Sequence, residues 1–205
     1  MDSIVFLDKI SIDPPREKIY QRLGFKKRTT QIPANRQKET DSFINEASYL
    51  ISLKGSFLRL PIVQNDGEKI ILAGGLTFAS KKLSVFLRDC REALLLAATA
   101  GGAIMEAIKE KTRADDLAAA VVYDAAASEI TDTALDWIIG YLNQQLRREG
   151  KMLLPRRFSA GYADFDLENQ QAIYDTLQME KIGVTITPSF ILLPEKSVTA
   201  ITGIC

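Results

Sequence analysis

Histidine is missing from these 205 residues. Without an imidazole the chain cannot build a Ser-His-Asp triad, a Cys-His dyad, a His-ligated metal site or a His axial ligand to haem or cobalt. Net charge is missing too: 26 Lys plus Arg balance 26 Asp plus Glu. That argues against a general electrostatic binder of nucleic acid or membrane surfaces. Cysteine is scarce. Cys90 and Cys205 stand far apart, with no CxxC and no zinc spacing, so a reduced, cytoplasmic protein is expected. The opening residues lack the basic n-region and long apolar core of a signal peptide. The longest apolar stretches, 93–105 and 117–127, fall well short of the ~20 residues that span a bilayer.

What is present is ordinary for a globular chain, with 46% hydrophobic and 25% charged residues. At roughly 150 residues per domain, the length favours one domain over 1–205, with a helical N-terminal part at 1–55. Asp13-Pro14-Pro15 before REKIYQRLGF reads as a short helix capped by Asp13 and stopped at Gly24. A mostly polar helix is expected over 35–53, ended by Gly55. SFLRLPIV and KIILAGGLTF then read as a hairpin about Gln64-Asn65-Asp66-Gly67. The continuous apolar run 93–100 suits a strand buried on both faces, closed by Gly101-Gly102.

Asp115 or Asp116 can cap a long helix running towards Arg148. Its first half is dense in small residues and its second half is amphipathic. At about 50 Å, it has room for a kink. The last third alternates: extended residues 152–159, a helix capped by Asp166, and strands at 184–187, 190–193 and 197–204. The whole predicts an α+β fold, a mixed, largely antiparallel twisted sheet with flanking helices, one of them long.

Candidate chemistry is sparse. Gly74-Gly75 and Gly101-Gly102 follow strands, but neither GxGxxG nor GxxxxGK[ST] occurs, so tight strand ends account for them. Lys26-Lys27-Arg28, Lys109/Lys111/Arg113 and Arg147-Arg148 sit at element ends, where solvated charge is usual. Arg156-Arg157 differs, because it lies inside the extended run leading to RFSAGYADFD. Arg157 offers a rigid fork for a carboxylate, Gly161 allows close backbone approach, and Tyr162 offers a ring face to a cation. That set suits an amino-acid-like ligand with a carboxylate and a cationic centre. A surface turn with a solvated Arg and a core Tyr reads the same way. The choice of Arg157 over Arg156 depends on strand register.

The run Arg157-Phe158-Ser159-Ala160-Gly161-Tyr162 resembles the activation domain of vitamin B12-dependent methionine synthase in its free-standing form. Gly183, Ile186-Thr187-Pro188-Ser189 and Pro194-Glu195-Lys196-Ser197-Val198 follow at matching spacing. Upstream, Glu92-Ala93-Leu94-Leu95-Leu96, Ala98-Thr99-Ala100-Gly101 and Asp124-Ala125-Ala126-Ala127-Ser128-Glu129 also resemble free-standing members. The likeness is dense from about Glu92 onward and weakest over 1–55. Members often have Pro at the position of Ala160. Fused members have Pro at Ala163, an acid at Pro188, and aromatic residues of the ligand site near Thr202-Gly203.

The resemblance implies an S-adenosylmethionine-binding subunit that acts in trans on a cobalamin-dependent methionine synthase core, supporting reductive methylation of cob(II)alamin to methylcobalamin. Cobalamin would be carried by that partner, and a flavodoxin-like protein would donate the electron. Arg157 would take the methionine carboxylate. Ala160, Gly161 and Tyr162 would contact the adenosyl and amino-acid ends, and Asp132 matches an acid near the ligand. No residue is assigned a catalytic proton transfer or a metal. Asp2, Asp8 and Asp13 are alternatives for an N-terminal acid of the family. A non-catalytic docking module for a corrinoid protein, or a reactivator of another corrinoid methyltransferase, is also compatible.

Overall fold

The computed structural model describes residues 3–26 and 30–205. Asp2 and the Lys27-Arg28 part of the basic connector lie outside the described residues. The chain runs through β1 (Val5–Leu7), α1 (Arg16–Arg22), α2 (Ala34–Leu50), β2 (Lys54–Asn65), β3 (Lys69–Leu72), β4 (Thr77–Ala79), α3 (Lys81–Phe86) and β5 (Glu92–Thr99). It continues with α4 (Gly102–Arg113), α5 (Leu117–Leu146), α6 (Asn169–Leu177), β6 (Thr185–Ile186), β7 (Leu192–Leu193) and β8 (Ser197–Ile204). This is the α+β arrangement expected. The main sheet has the order β4-β3-β2-β5-β8, with β1 also on β2, and every pairing is antiparallel. β6 and β7 form a separate two-stranded ribbon.

β5 is the middle of the structure. Leu94, Leu96 and Ala98 enter a cluster with Ala126, Ala134 and Ile138 of α5. Ala93, Leu95 and Ala97 enter a second cluster with Phe165, Ile173 and Leu177. Two-residue alternation sends neighbours to opposite faces, and here both faces are dry. Leu94, Leu95 and Leu96 are fully buried, each worth about 1.5–3 kcal/mol of transfer free energy. Gly55 of β2 is required by this packing: a Cβ there would sit 2.9 Å from the Ala97 carbonyl and 3.0 Å from Ile138 Cδ1. It lies inside a strand and does not end α2, which stops at Ile51 with an extended cap.

α5 is 30 residues long and uninterrupted, about 45 Å at 1.5 Å per residue. Asp116 caps it by accepting the Ala119 N–H at 3.3 Å. Alanines at 119, 120 and 125–127 are buried along its first half, and α2 and α4 pack beside it. No described helix is long and apolar enough to cross a membrane. Two other expected caps are absent. Pro15, not Asp13, begins α1 without a side-chain bond, and α6 starts three residues after Asp166, which contributes only its carbonyl to the turn. At α1 the chain turns in through backbone alone, and at α6 the Asn169 side-chain amide adds a bond to the Asp166 carbonyl at 2.9 Å. The region 1–55 also holds a strand, β1, besides its helices.

The cysteines differ from expectation as well. The fold brings Cys90 and Cys205 together across 115 residues as a disulfide.

One charged network ties the far end of α5 to the sheet. Arg59 on β2 donates to Glu92 on β5 at 3.0 Å and to Glu149 at 2.9 Å. Lys151 reaches the same two carboxylates. Hydrogen bonds from Arg59 and then Lys151 hold Glu149 down at about 2. Burial pushes the Glu92 carboxyl up, but the bonds from Lys151 and Arg59 outweigh it and leave it below its ordinary value. Both groups take protons more readily unfolded than folded. Their contribution is therefore complete above the unfolded value of 4.5 and is lost as pH falls towards about 2. Glu149→Gln is expected to lower the urea midpoint near neutral pH, to flatten its decline across that acid window, and to converge with the parent at its lower end. Urea titrations at a series of pH values check this.

Candidate functional site

Residues 152–158 lie along the outer edge of β8. The Leu154 N–H donates to Gly203 at 2.9 Å, and Phe158 exchanges bonds with Ile201 at 2.8 and 2.7 Å. Between these, the Thr202 hydroxyl donates to the Arg156 carbonyl at 2.9 Å. The segment therefore alternates like a strand. Leu153 joins the α5 cluster, while Leu154 and Phe158 pack on the opposite cluster. Arg157 shares the parity of Leu153 and points to α5, whereas Arg156 is exposed. Register thus selects Arg157.

Arg157 meets two carboxylates of α5. One arm of its fork donates to Asp132 at 2.8 Å, and the other bonds Asp136. Only 18% of the Arg157 side chain is exposed, against about half of each carboxylate. Asp136 is also paired with Lys18 of α1 at 3.2 Å. The structure therefore joins two of the residues singled out from sequence, Arg157 and Asp132, and adds Asp136 and Lys18, which were missed. The signal was present: Asp124, Ser128, Asp132 and Asp136 recur every four residues, the spacing of one helix face. Cations from separate segments meet that face. Lys196 binds Asp124 at 2.6 Å and Ser128 at 2.9 Å, and Arg22 binds the neighbouring Glu129 at 3.0 Å.

Asp132 also lines a cleft of about 430 Å³ between α5 and the start of β8, with Ser128, Glu129, Thr131, Lys196 and Ser197. That volume is in the range of small-molecule sites. A larger groove of about 580 Å³, lined by α2 and the first turns of α5, shares no residue with it.

The other expected residues sit farther along the segment. Ala160 is buried in the second cluster. Gly161 has φ +86°, a left-handed turn that glycine favours, and donates to the Phe165 carbonyl at 2.7 Å. Tyr162 is 71% exposed, and its side chain makes no hydrogen bond or ring contact among the described residues. The turn is anchored by Asp164, which accepts the Ser80 hydroxyl at 2.6 Å and the Lys82 N–H at 3.1 Å. The Ser80 bond leads in holding this carboxyl below its ordinary value. Thr202 and Gly203, where fused family members carry aromatics, face inward: Thr202 is fully buried, and a Cβ at Gly203 would press on Cys90 and Leu87. Asp8 and Asp13 are both exposed.

No protein-family model matches the chain. No curated protein matches it by sequence. Among solved structures, the crystal structure of the MetH reactivation domain bound to AdoHcy matches with a TM-score of 0.71 at 13% identity, covering 98% of this chain and 78% of that one. The chain has the fold of a MetH reactivation domain. The coverage takes in the N-terminal region, where the sequence resemblance was weakest. At this identity the likeness shows the architecture alone.

Because Asp132 and Asp136 share one guanidinium, their effects should not add. Asp132→Asn and Asp136→Asn are each expected to cost about 1 kcal/mol or less, and the double variant more than their sum wherever Arg157 is present, because either carboxylate alone still serves the guanidinium and either loss relieves their mutual repulsion. In an Arg157→Met background both effects should shrink. Denaturation of the parent, the two single variants, their double, and Arg157→Met alone and with each Asn substitution tests this coupling.

Proposed function

We propose that residues 1–205 act as one unit, a cytoplasmic S-adenosylmethionine-binding subunit that reactivates a cobalamin-dependent methionine synthase carried on a separate chain. The observation that supports this reading most is the meeting of Arg157 and Asp132 beside a cleft, in a fold shared with the MetH reactivation domain. A free amino acid presents a carboxylate and an ammonium a few bonds apart. Arg157 suits the carboxylate by two-pronged donation, and the Asp132 carboxylate so released suits the ammonium. Gly161 lets backbone come close, and the exposed Tyr162 ring is available to the adenosyl end.

S-adenosylmethionine would supply a methyl group whose loss from sulfonium needs no proton transfer. The chain's task is then to hold and orient the donor and to exclude water. The absence of histidine agrees with cobalt ligation by the partner. The partner core would carry the cobalamin, and a flavodoxin-like protein would deliver the electron for reductive methylation of cob(II)alamin.

One observation favours a second reading, a docking module for the corrinoid protein with little affinity for the methyl donor. Thr202 and Gly203 are turned inward and leave no aromatic wall for adenine.

At 100 times its Kd, S-adenosylmethionine should stabilise the chain by about 2.7 kcal/mol. Arg157→Ala should abolish the shift while leaving the fold intact by circular dichroism. With synthase core, reductant and S-adenosylmethionine, lost activity should return only when this chain is added. Return of activity without the chain would overturn the proposal. Absence of a shift both alone and with the cobalamin-loaded core would favour the docking reading.

A further inference from the structure

We propose that Cys90 and Cys205 form a reversible thiol–disulfide exchange site, opened by a dithiol reductant, that controls how firmly residues 152–154 are held on the end of β8. The chain has two cysteines, and folding places both in one bond across 115 residues. Cys205 follows β8 directly. It exchanges two backbone bonds with Met152, at 3.0 and 2.9 Å, and the next bond in the ladder runs from Leu154 to Gly203. Cys90 sits in the turn between α3 and β5, donating its N–H to Leu87 at 3.1 Å. The bond therefore fastens the last rung of the ladder that carries Arg157 to a turn on a different element. Gly203 makes room for it, since a Cβ there would lie 2.4 Å from Cys90 Sγ.

The two cysteines differ in exposure. Cys205 is exposed, whereas Cys90 is 8% exposed. A thiolate of the reductant would bond to Cys205 Sγ and expel Cys90 as thiolate, which takes a proton. The reductant's second thiol would then displace Cys205 in the same way. The protein gains two electrons and two protons, and the dithiol leaves as its own disulfide. In a reducing compartment, a disulfide of this kind is characteristically a transient or sensing one. The proposal does not depend on the methyl-donor site proposed at Arg157.

The test uses the unmodified chain equilibrated in buffers of reduced and oxidised dithiothreitol. Alkylation and mass analysis should show one two-electron transition, with both thiols blocked from alkylation at the oxidising end. Hydrogen exchange at Met152 and Leu154 should be at least tenfold faster in the reduced form, while Phe158 is unchanged. The oxidised form should melt about 5–15 °C higher. Cys205→Ser should reproduce the reduced pattern in every buffer. Free thiols throughout the oxidising range, or identical exchange at residues 152–154 in the two forms, would overturn the proposal.

Discussion

β5 has no wet side, and the rest of the molecule follows from that. A strand whose residues 93–98 are all fully buried must have apolar layers above and below it. α5 supplies one, with α2 and α4 behind it. The segment after α5 supplies the other, through Phe165, Ile173, Leu177 and Met179. To supply it, the chain must leave the end of α5, pass the outer edge of β8, and cross to the opposite face. Residues 152–158 make that crossing. Arg157 is the point on the way where a side chain still reaches back to the helix just left.

The consequence for the site is pre-organisation. Arg157 is fixed by backbone on both sides, through Leu154 to Gly203 and Phe158 to Ile201, and its fork is filled by two carboxylates. In the proposed reading, a ligand carboxylate would therefore replace an existing partner and would not recruit a free cation from solvent. Such an exchange costs little ordering entropy. It would also set a selectivity, because a ligand without its own ammonium would leave Asp132 with nothing in return. The Tyr162 turn is fixed separately, by Asp164 on Ser80 at the start of α3.

Much of this was legible in the sequence, for identifiable reasons. The apolar run of β5, the Asp66-Gly67 turn and the helical spacing of Leu135, Ile138, Leu142 and Leu146 are local signals, and each gave its element. RFSAGY marked Arg157, and the family pattern marked Asp132. What was not legible depended on distance in the chain. Asp13 and Asp166 have the composition of caps, but the tertiary path turns the chain in through Pro15 and a preceding turn. Gly55 has the character of a helix stop, yet Ala97 and Ile138, far away in sequence, dictate it. The union of Cys90 with Cys205 requires knowing that β8 returns beside β5. Asp136 was passed over because a carboxylate on an exposed helix face gains meaning only when an arginine from another segment arrives.

The charged face of α5 has one further implication. Its partners come from α1, from the segment beside β8 and from the turn before β8, and none belongs to α5 itself. These contacts are part-exposed, so mobile ions compete with them on a length scale of about 8–10 Å near physiological ionic strength. The two apolar clusters are indifferent to such competition. On this face, ionic strength thus acts on the seams by which three segments are laced to a rigid rod, and not on the apolar layers beneath.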